Sequence, residues 1–323
     1  FFQQQQFEFP VSRSQFESLE NYLSEGAGAS RFSIAMSIAG KKLRQSLFHG
    51  AELLQLQAGL SVTIEALKAL DHFFRRLREA DKEGLYRQQI DAATAVLAHP
   101  QMAALLGSHT GQLSLLQLTR YDYLFRHALL PRLKALLDIV YEVDVYISVA
   151  QVAASKGFVY AKALAASGNM VHISGLHHPM LKNPVRNTLG MSANSNLVFL
   201  TGANMAGKST LMKSFGIAVY LAHMGFPVAA ADMVFSVKDG LYSSINVSDN
   251  LNMGYSHFYA EVLRAKMAAE AVNKSLDLYL IFDELFKGTN VKDAYDATLA
   301  VTSAFAANNN CFFIISTHII EVG

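Results

Sequence analysis

The segment that most restricts how this chain can fold is Thr201-Gly202-Ala203-Asn204-Met205-Ala206-Gly207-Lys208-Ser209-Thr210. The apolar run Leu197-Val198-Phe199-Leu200 leads into it, and the amphipathic run Leu211 to Leu221 follows. Strand, glycine-bounded loop and helix in immediate succession match the layout of a phosphate-binding P-loop. Backbone N–H groups of such a loop, together with the helix N-terminus, cradle phosphate oxygens. Lys208 is then the residue that reaches the terminal phosphates, and Ser209 the one that offers its hydroxyl to Mg²⁺. The plainer alternative is a glycine turn that opens an ordinary helix.

Short apolar runs bounded by glycine, asparagine and serine recur after about residue 155: Met170 to Ile173, Leu197 to Leu200, Leu241 to Val247, Leu278 to Phe282 and Phe312 to Ile315. Helical patterns lie between several of them, at 208–223, 257–273 and 292–307. This alternation predicts an α/β domain with a largely parallel sheet. Residues 11 to 150 read differently. Leu53, Leu54, Leu56, Leu60, Ile64, Leu67 and Leu70 recur at helical spacing, as do Leu115, Leu118, Leu124, Leu129 and Leu133. Pro100 and Pro131 mark helix starts or breaks. The expectation is an all-α region over 1–145 followed by an α/β domain over 146–323.

Leu278 to Phe282 ends in Asp283-Glu284. A buried strand of this kind delivers two carboxylates to its C-terminal edge, where nucleotide sites of open α/β sheets lie. In that setting Asp283 holds Mg²⁺, directly or through water, and Glu284 polarises the attacking water as general base. A strand that merely ends in solvated acids is the bland alternative. Ser316-Thr317-His318 closes another apolar strand, so His318 is a candidate for contact with the γ-phosphate or the water. Ser256 is a candidate N-cap for the helix that follows it, and equally a candidate anion site at that helix N-terminus.

These elements, in this order, resemble the MutS family, the mismatch-repair branch of the ABC-type ATPases, over roughly residues 138 to 323. Thr201 to Thr210 is similar to that family's Thr-Gly-Pro-Asn-Met-Gly-Gly-Lys-Ser-Thr loop, with Asn204-Met205 as its more specific part. His177-His178-Pro179 resembles its Arg-His-Pro element, and Gly254-Tyr255-Ser256-His257-Phe258 its Gly-x-Ser-Thr-Phe signature loop. Asp283-Glu284-Leu285-Phe286-Lys287-Gly288-Thr289-Asn290 resembles Asp-Glu-Leu-Gly-Arg-Gly-Thr-Ser, and Ser316-Thr317-His318 resembles the terminal Ala-Thr-His. Departures at Ala203, Ala206, His257 and Phe286-Lys287 suggest a divergent, short member of the family.

The resemblance implies an ATPase that uses ATP, ADP and Mg²⁺. It implies catalytic roles in cis for Glu284 and His318, and a role in trans for Ser256 on nucleotide held by a second copy. Implied partners are DNA, a homodimer mate and other repair proteins. Residues before the ATPase domain would be core and lever helices. A MutS-related protein without mismatch recognition, acting on branched DNA or ribosome-associated nucleic acid, is the alternative, as is a weakly active nucleotide-gated scaffold.

Composition bounds the rest. Hydrophobic residues make up 51% and charged residues 16% of 323 residues, enough for a large core. The net charge of +1 gives no support to a strongly basic nucleic-acid face. No apolar run reaches the roughly 18 residues of a membrane span. The one cysteine, Cys311, excludes an internal disulfide and fits a cytoplasmic setting with a buried structural thiol. The chain starts without methionine or a signal peptide and stops just after a strand-like run, so a piece of a longer protein is expected.

Overall fold

The computed structural model describes residues 1–2, 7–24, 36, 51–107, 113–203, 205–245, 257–286 and 289–317. The chain divides into two compact units, Phe1–Gln151 and Val152–Gly323.

Among the described residues the first unit contains only helices: α1 (Arg13–Ser24), α2 (Ala51–Ala80), α3 (Arg87–Leu97), α4 (Pro100–Leu106), α5 (Leu115–Tyr123) and α6 (Leu130–Lys156), the last running through the division into the second unit. The local sequence explains their ends. Asp81 accepts hydrogen bonds from the N–H groups of Leu85 and Tyr86 and so turns the chain between α2 and α3. Pro100 occupies the first helical position of α4, where its missing N–H costs nothing. Ser114 and Gln117 form a reciprocal capping box at the start of α5. Leu124–Ala128 then widens into a π-helical turn before α6.

Leu56, Leu60, Ile64, Leu67 and Leu70 are buried as their spacing predicts, whereas Leu54 lies outside that stripe and is exposed. Leu118, Leu124, Leu129 and Leu133 join the same core. Tyr22 donates to Asp122 at 2.7 Å, and the Arg126 guanidinium lies 4.3 Å from the centre of the Tyr22 ring.

Among the described residues the second unit holds two four-stranded sheets rather than one. The strands are β1 (Lys162–Leu164), β2 (Met170–Leu176), β3 (Asn187–Ser192), β4 (Leu197–Leu200), β5 (Asp232–Ser236), β6 (Gly240–Ser244), β7 (Leu278–Phe282) and β8 (Phe312–Ser316). Strands β1, β5, β2 and β3 form, in that order, a mixed sheet in which β2 runs antiparallel to both neighbours. The expectation of a largely parallel sheet holds only for the other, ordered β4-β8-β7-β6, in which every pairing is parallel. Among the described residues, three α-helices accompany the strands: α7 (Lys208–His223), α8 (His257–Asn273) and α9 (Val291–Ala306).

Every residue of β7 and β8 is buried, as strands covered on both faces must be. Alternation sorts their side chains. Tyr279, Ile281, Phe312 and Ile314 share a core with Met212, Phe215 and Val219 of α7 and with Ile173 and Phe235 of the mixed sheet. Leu278, Leu280, Phe282, Phe313 and Ile315 face the opposite way, against Ala268 and Val272 of α8 and Ala294 and Phe305 of α9. The parallel sheet is thereby a middle layer, and its strands point in one direction by construction. Cys311 is fully buried just ahead of β8, and its thiol donates to the Leu276 carbonyl at 3.2 Å.

Among the described residues, no helix is long and apolar enough to cross a membrane.

Candidate nucleotide site

Parallel strands send all their C-termini to one edge, and three carry the residues singled out above. Register fixes how they meet. Leu200 of β4 pairs with Ser316 of β8, and Ile315 of β8 pairs with Phe282 of β7. Thr201 and Thr317 therefore leave the sheet side by side, and Asp283 falls level with Ser316. The Thr317 N–H reaches back to the Leu200 carbonyl at 3.3 Å, and the Asp283 N–H donates to Ser244 at the end of β6 at 2.9 Å. The edge is stitched strand by strand as far as the ladder extends.

The glycine loop opens from β4 and enters α7 at Lys208. Its backbone takes conformations that side chains resist: φ is +140° at Gly202, +62° at Met205 and +95° at Gly207. A Cβ at Gly207 would meet no atom within 4 Å, so glycine is needed there for its backbone angle rather than for space. Gly207 is the N-cap of α7 and has no side chain to satisfy the first turn. The N-terminal N–H groups of this 16-residue helix thus keep their capacity for an anion. Lys208 folds back over the loop, its Nζ donating to the carbonyls of Gly202 at 2.7 Å and Ala203 at 3.1 Å. The ammonium is held across the loop by weak local acceptors, which an anionic ligand would displace.

The acid pair follows β7 in an unusual backbone. Glu284 has φ +57° and Phe286 φ +58°. For residues with a Cβ such conformations cost on the order of 1–3 kcal/mol each and concentrate at ligand sites. What holds the turn is the end of β8. The Glu284 N–H is shared between the Ser316 carbonyl and the Ser316 hydroxyl, both at 3.1 Å. The same hydroxyl donates to Asp283 Oδ1 at 2.5 Å. Asp283 and Glu284 are both half-buried, while Ser316 is fully buried.

Of the residues expected at the site, Gly202, Ala203, Met205, Ala206, Gly207, Lys208, Ser209, Thr210, Asp283 and Glu284 are described, and all lie at or just beyond the C-terminal ends of β4 and β7. Asn204, Ser256 and His318 lie outside the described residues. His177 closes β2, where its N–H bonds to the Ala229 carbonyl and its Nδ1 lies 2.9 Å from the Gly175 carbonyl. Ser316 was visible only as the first letter of a motif. Its hydroxyl bridge to the acid pair had no signal in the sequence beyond a polar residue ending an otherwise apolar strand.

A family profile described as MutS domain V matches residues 198–323. That interval begins within β4 and takes in the loop, the acid pair and β8. Residues 198–323 are therefore similar to domain V of the MutS family. DNA mismatch repair protein MutS of Fusobacterium nucleatum is 31% identical over 170 residues, covering 50% of this chain and 19% of that protein. The protein of the same name from Leuconostoc mesenteroides is 30% identical over 197 residues, with 59% of this chain and 23% of that protein covered. The one from Bacillus cytotoxicus is 30% identical over 200 residues, covering 60% of this chain and 22% of that protein. The matched stretch amounts to about a fifth of the length of these MutS relatives.

The oxygen groups at this edge that could hold a cation include the Ser209 hydroxyl and the Asp283 carboxylate. No group of three or more His, Cys, Asp or Glu side chains able to hold a metal occurs among the described residues. Hard oxygen donors in this small number suit Mg²⁺ completed by phosphate oxygens and water, not an all-protein cage.

Proposed function

We propose that this chain is a MutS-type ATPase that binds and hydrolyses ATP with Mg²⁺ and couples the cycle to DNA binding in mismatch repair. In this reading residues 146–323 are an ABC-type P-loop domain, and the all-α region 1–145 supplies the core and levers that carry its movement to DNA. The observation that carries the reading is the meeting, at one edge of a parallel sheet, of a glycine loop with its lysine and a strand that ends in Asp-Glu.

The chemistry follows from the residues. The α7 N-terminus and the Gly202–Gly207 backbone bind the β- and γ-phosphates, and Lys208 exchanges its two carbonyl acceptors for phosphate oxygens. Ser209 and Asp283 would hold Mg²⁺, which when bound neutralises charge on the phosphate oxygens. Glu284 accepts a proton from the water that attacks the γ-phosphorus, while the β–γ bridging oxygen leaves with the electron pair of its bond to phosphorus. His318 orients that water or contacts the γ-phosphate in cis. Ser256 of a second copy closes the site in trans, so turnover requires a homodimer. A cytoplasmic location goes with this reading.

ATP hydrolysis by the whole 323-residue chain, measured alone and with homoduplex, mismatched and branched DNA, tests the proposal. Turnover that rises with DNA, most with mismatched DNA, is expected. Stimulation by branched DNA alone would favour a relative without mismatch recognition. An absence of turnover in a chain that still binds nucleotide would favour a nucleotide-gated scaffold.

A further inference from the structure

The acid pair is attached to its neighbour strand in a way its own strand does not require. Parallel pairing of β7 and β8 ends with Phe282 opposite Ile315. Beyond that point the chain of β7 turns into the positive-φ conformation of Glu284, where the Glu284 N–H still reaches the Ser316 carbonyl at 3.1 Å. The Ser316 side chain adds two bonds of its own. Its hydroxyl accepts from the Glu284 N–H at 3.1 Å and donates to Asp283 Oδ1 at 2.5 Å. One buried hydroxyl therefore shares in holding the backbone of one acid and holds the side chain of the other. An alanine at this position, as in the Ala-Thr-His pattern that Ser316-Thr317-His318 resembles, could supply neither bond.

We propose that Ser316 is a positioning residue for the Mg²⁺-nucleotide site, acting by fixing the Asp283 carboxylate and the Asp283–Glu284 turn. The inference rests on the reading of this edge as a nucleotide site. Its logic is that of an outer contact to a metal ligand. With one carboxylate oxygen committed to a buried hydroxyl, Asp283 loses rotamer freedom before the cation arrives. Without the hydroxyl, Asp283 keeps its charge and its place on the strand but must be ordered by the cation itself, which weakens cation binding. The binding surface that does not involve Asp283, from the loop and Lys208, is left as it was.

The test is a fluorescent ATP analogue titrated onto the full chain and its Ser316→Ala and Ser316→Thr variants, with Mg²⁺ varied and with EDTA in its place. Alanine is smaller than serine and fits the same space, so Ser316→Ala is expected to fold. It should raise the Mg²⁺ concentration at half-effect by roughly tenfold, while analogue affinity in EDTA and the melting temperature stay near the parent's. Ser316→Thr, which retains the hydroxyl, should restore the parent midpoint. A Mg²⁺ midpoint within twofold of the parent in Ser316→Ala overturns the inference, and so does an equal loss of affinity in Mg²⁺ and EDTA, which would mark a merely structural role. Failure of the parent to bind the analogue at all would instead overturn the nucleotide-site reading and this inference with it.

Discussion

Two lysines at opposite ends of one parallel sheet show how differently the same side chain can be used. At the C-terminal end, Lys208 is half-buried, and its bonds go to the carbonyls of Gly202 and Ala203, both within its own loop. At the N-terminal end, Lys238 is only 6% exposed. Its Nζ donates to Asn169 Oδ1 at 2.5 Å and to the Asn310 carbonyl at 2.7 Å, and lies 4.5 Å from the centre of the Phe312 ring. The first arrangement joins nothing distant and can be exchanged. The second ties together three parts of the chain, including the segment that precedes β2 and the one that precedes β8. Burial lowers the Lys238 pKa, against the raising influence of Asp277, Cys311 and Asp239, so its two acceptors and the Phe312 ring are what make a buried ammonium tolerable. One end of the sheet is built to release its partners and the other to keep them.

The largest effects should come from the exchangeable end. Glu284→Gln should lower the rate of ATP hydrolysis by about 10²–10⁴-fold, the usual contribution of a general base, while leaving ATP binding intact and trapping a dimer. Parent-rate hydrolysis in single-turnover measurements on this variant would remove Glu284 from its assigned role. Lys208→Ala removes charge-assisted bonds to phosphate worth about 1.5–3 kcal/mol each, or roughly 10²–10⁴-fold in Kd for a pair of them. Calorimetric titration should show that loss with little change in melting temperature, because the bonds broken in the free protein are local. A large fall in stability would erase the distinction between the two lysines.

How much of this contrast is readable in the sequence depends on the range of the interactions. Strands β4 and β7 and helices α7 and α8 begin and end where apolar period and turn residues put them, since both are set within a few neighbours. Strands β1, β3 and β5 are not legible. They are short, and β3 carries glycine and polar residues because only Leu189 and Met191 face the core. Leu54 fails for the converse reason, an apolar residue off the buried stripe that the described residues leave exposed. At the site, the loop and the Asp-Glu pair carry local patterns and were legible. The hydroxyl bridge of Ser316 and the positive φ of Glu284 were not, because they exist only once β7 and β8 lie side by side. Lys238 gave no signal at all, since its partners lie 69 and 72 positions away in the chain.

At the retaining end the expected effects are on stability and are smaller. Lys238→Met keeps the aliphatic stem but strands Asn169 Oδ1 and the Asn310 carbonyl, which should cost about 1–3 kcal/mol. Thermal unfolding should shift down by several degrees, about 2–4 °C per kcal/mol for a unit of this size. Nucleotide affinity should hold within about twofold, that is, within about 0.4 kcal/mol. A variant that loses affinity but not stability would show that the two ends are coupled and the contrast is false.

The smallest effect is also the one with a signature of its own. Tyr279 is buried at this end, its hydroxyl donating to the Ser236 carbonyl at 3.2 Å, and burial raises its pKa above the ordinary tyrosine value. A raised folded pKa means that the contribution to stability is fully present below the unfolded value of about 10 and fades as pH rises past it, by at most about 1.4 kcal/mol per pH unit. Tyr279→Phe loses one neutral hydrogen bond, about 1 kcal/mol at neutral pH, but it also removes the proton that the unfolded chain gives up in alkali. The gap between parent and variant in denaturant midpoint should therefore narrow between about pH 9.5 and 11. Ionisation of exposed tyrosines cannot imitate this, because groups with equal pKa in both states leave stability unchanged. A gap that stays constant over that interval would mean that the Tyr279 hydroxyl reaches solvent, and that the end of the sheet described as closed is open.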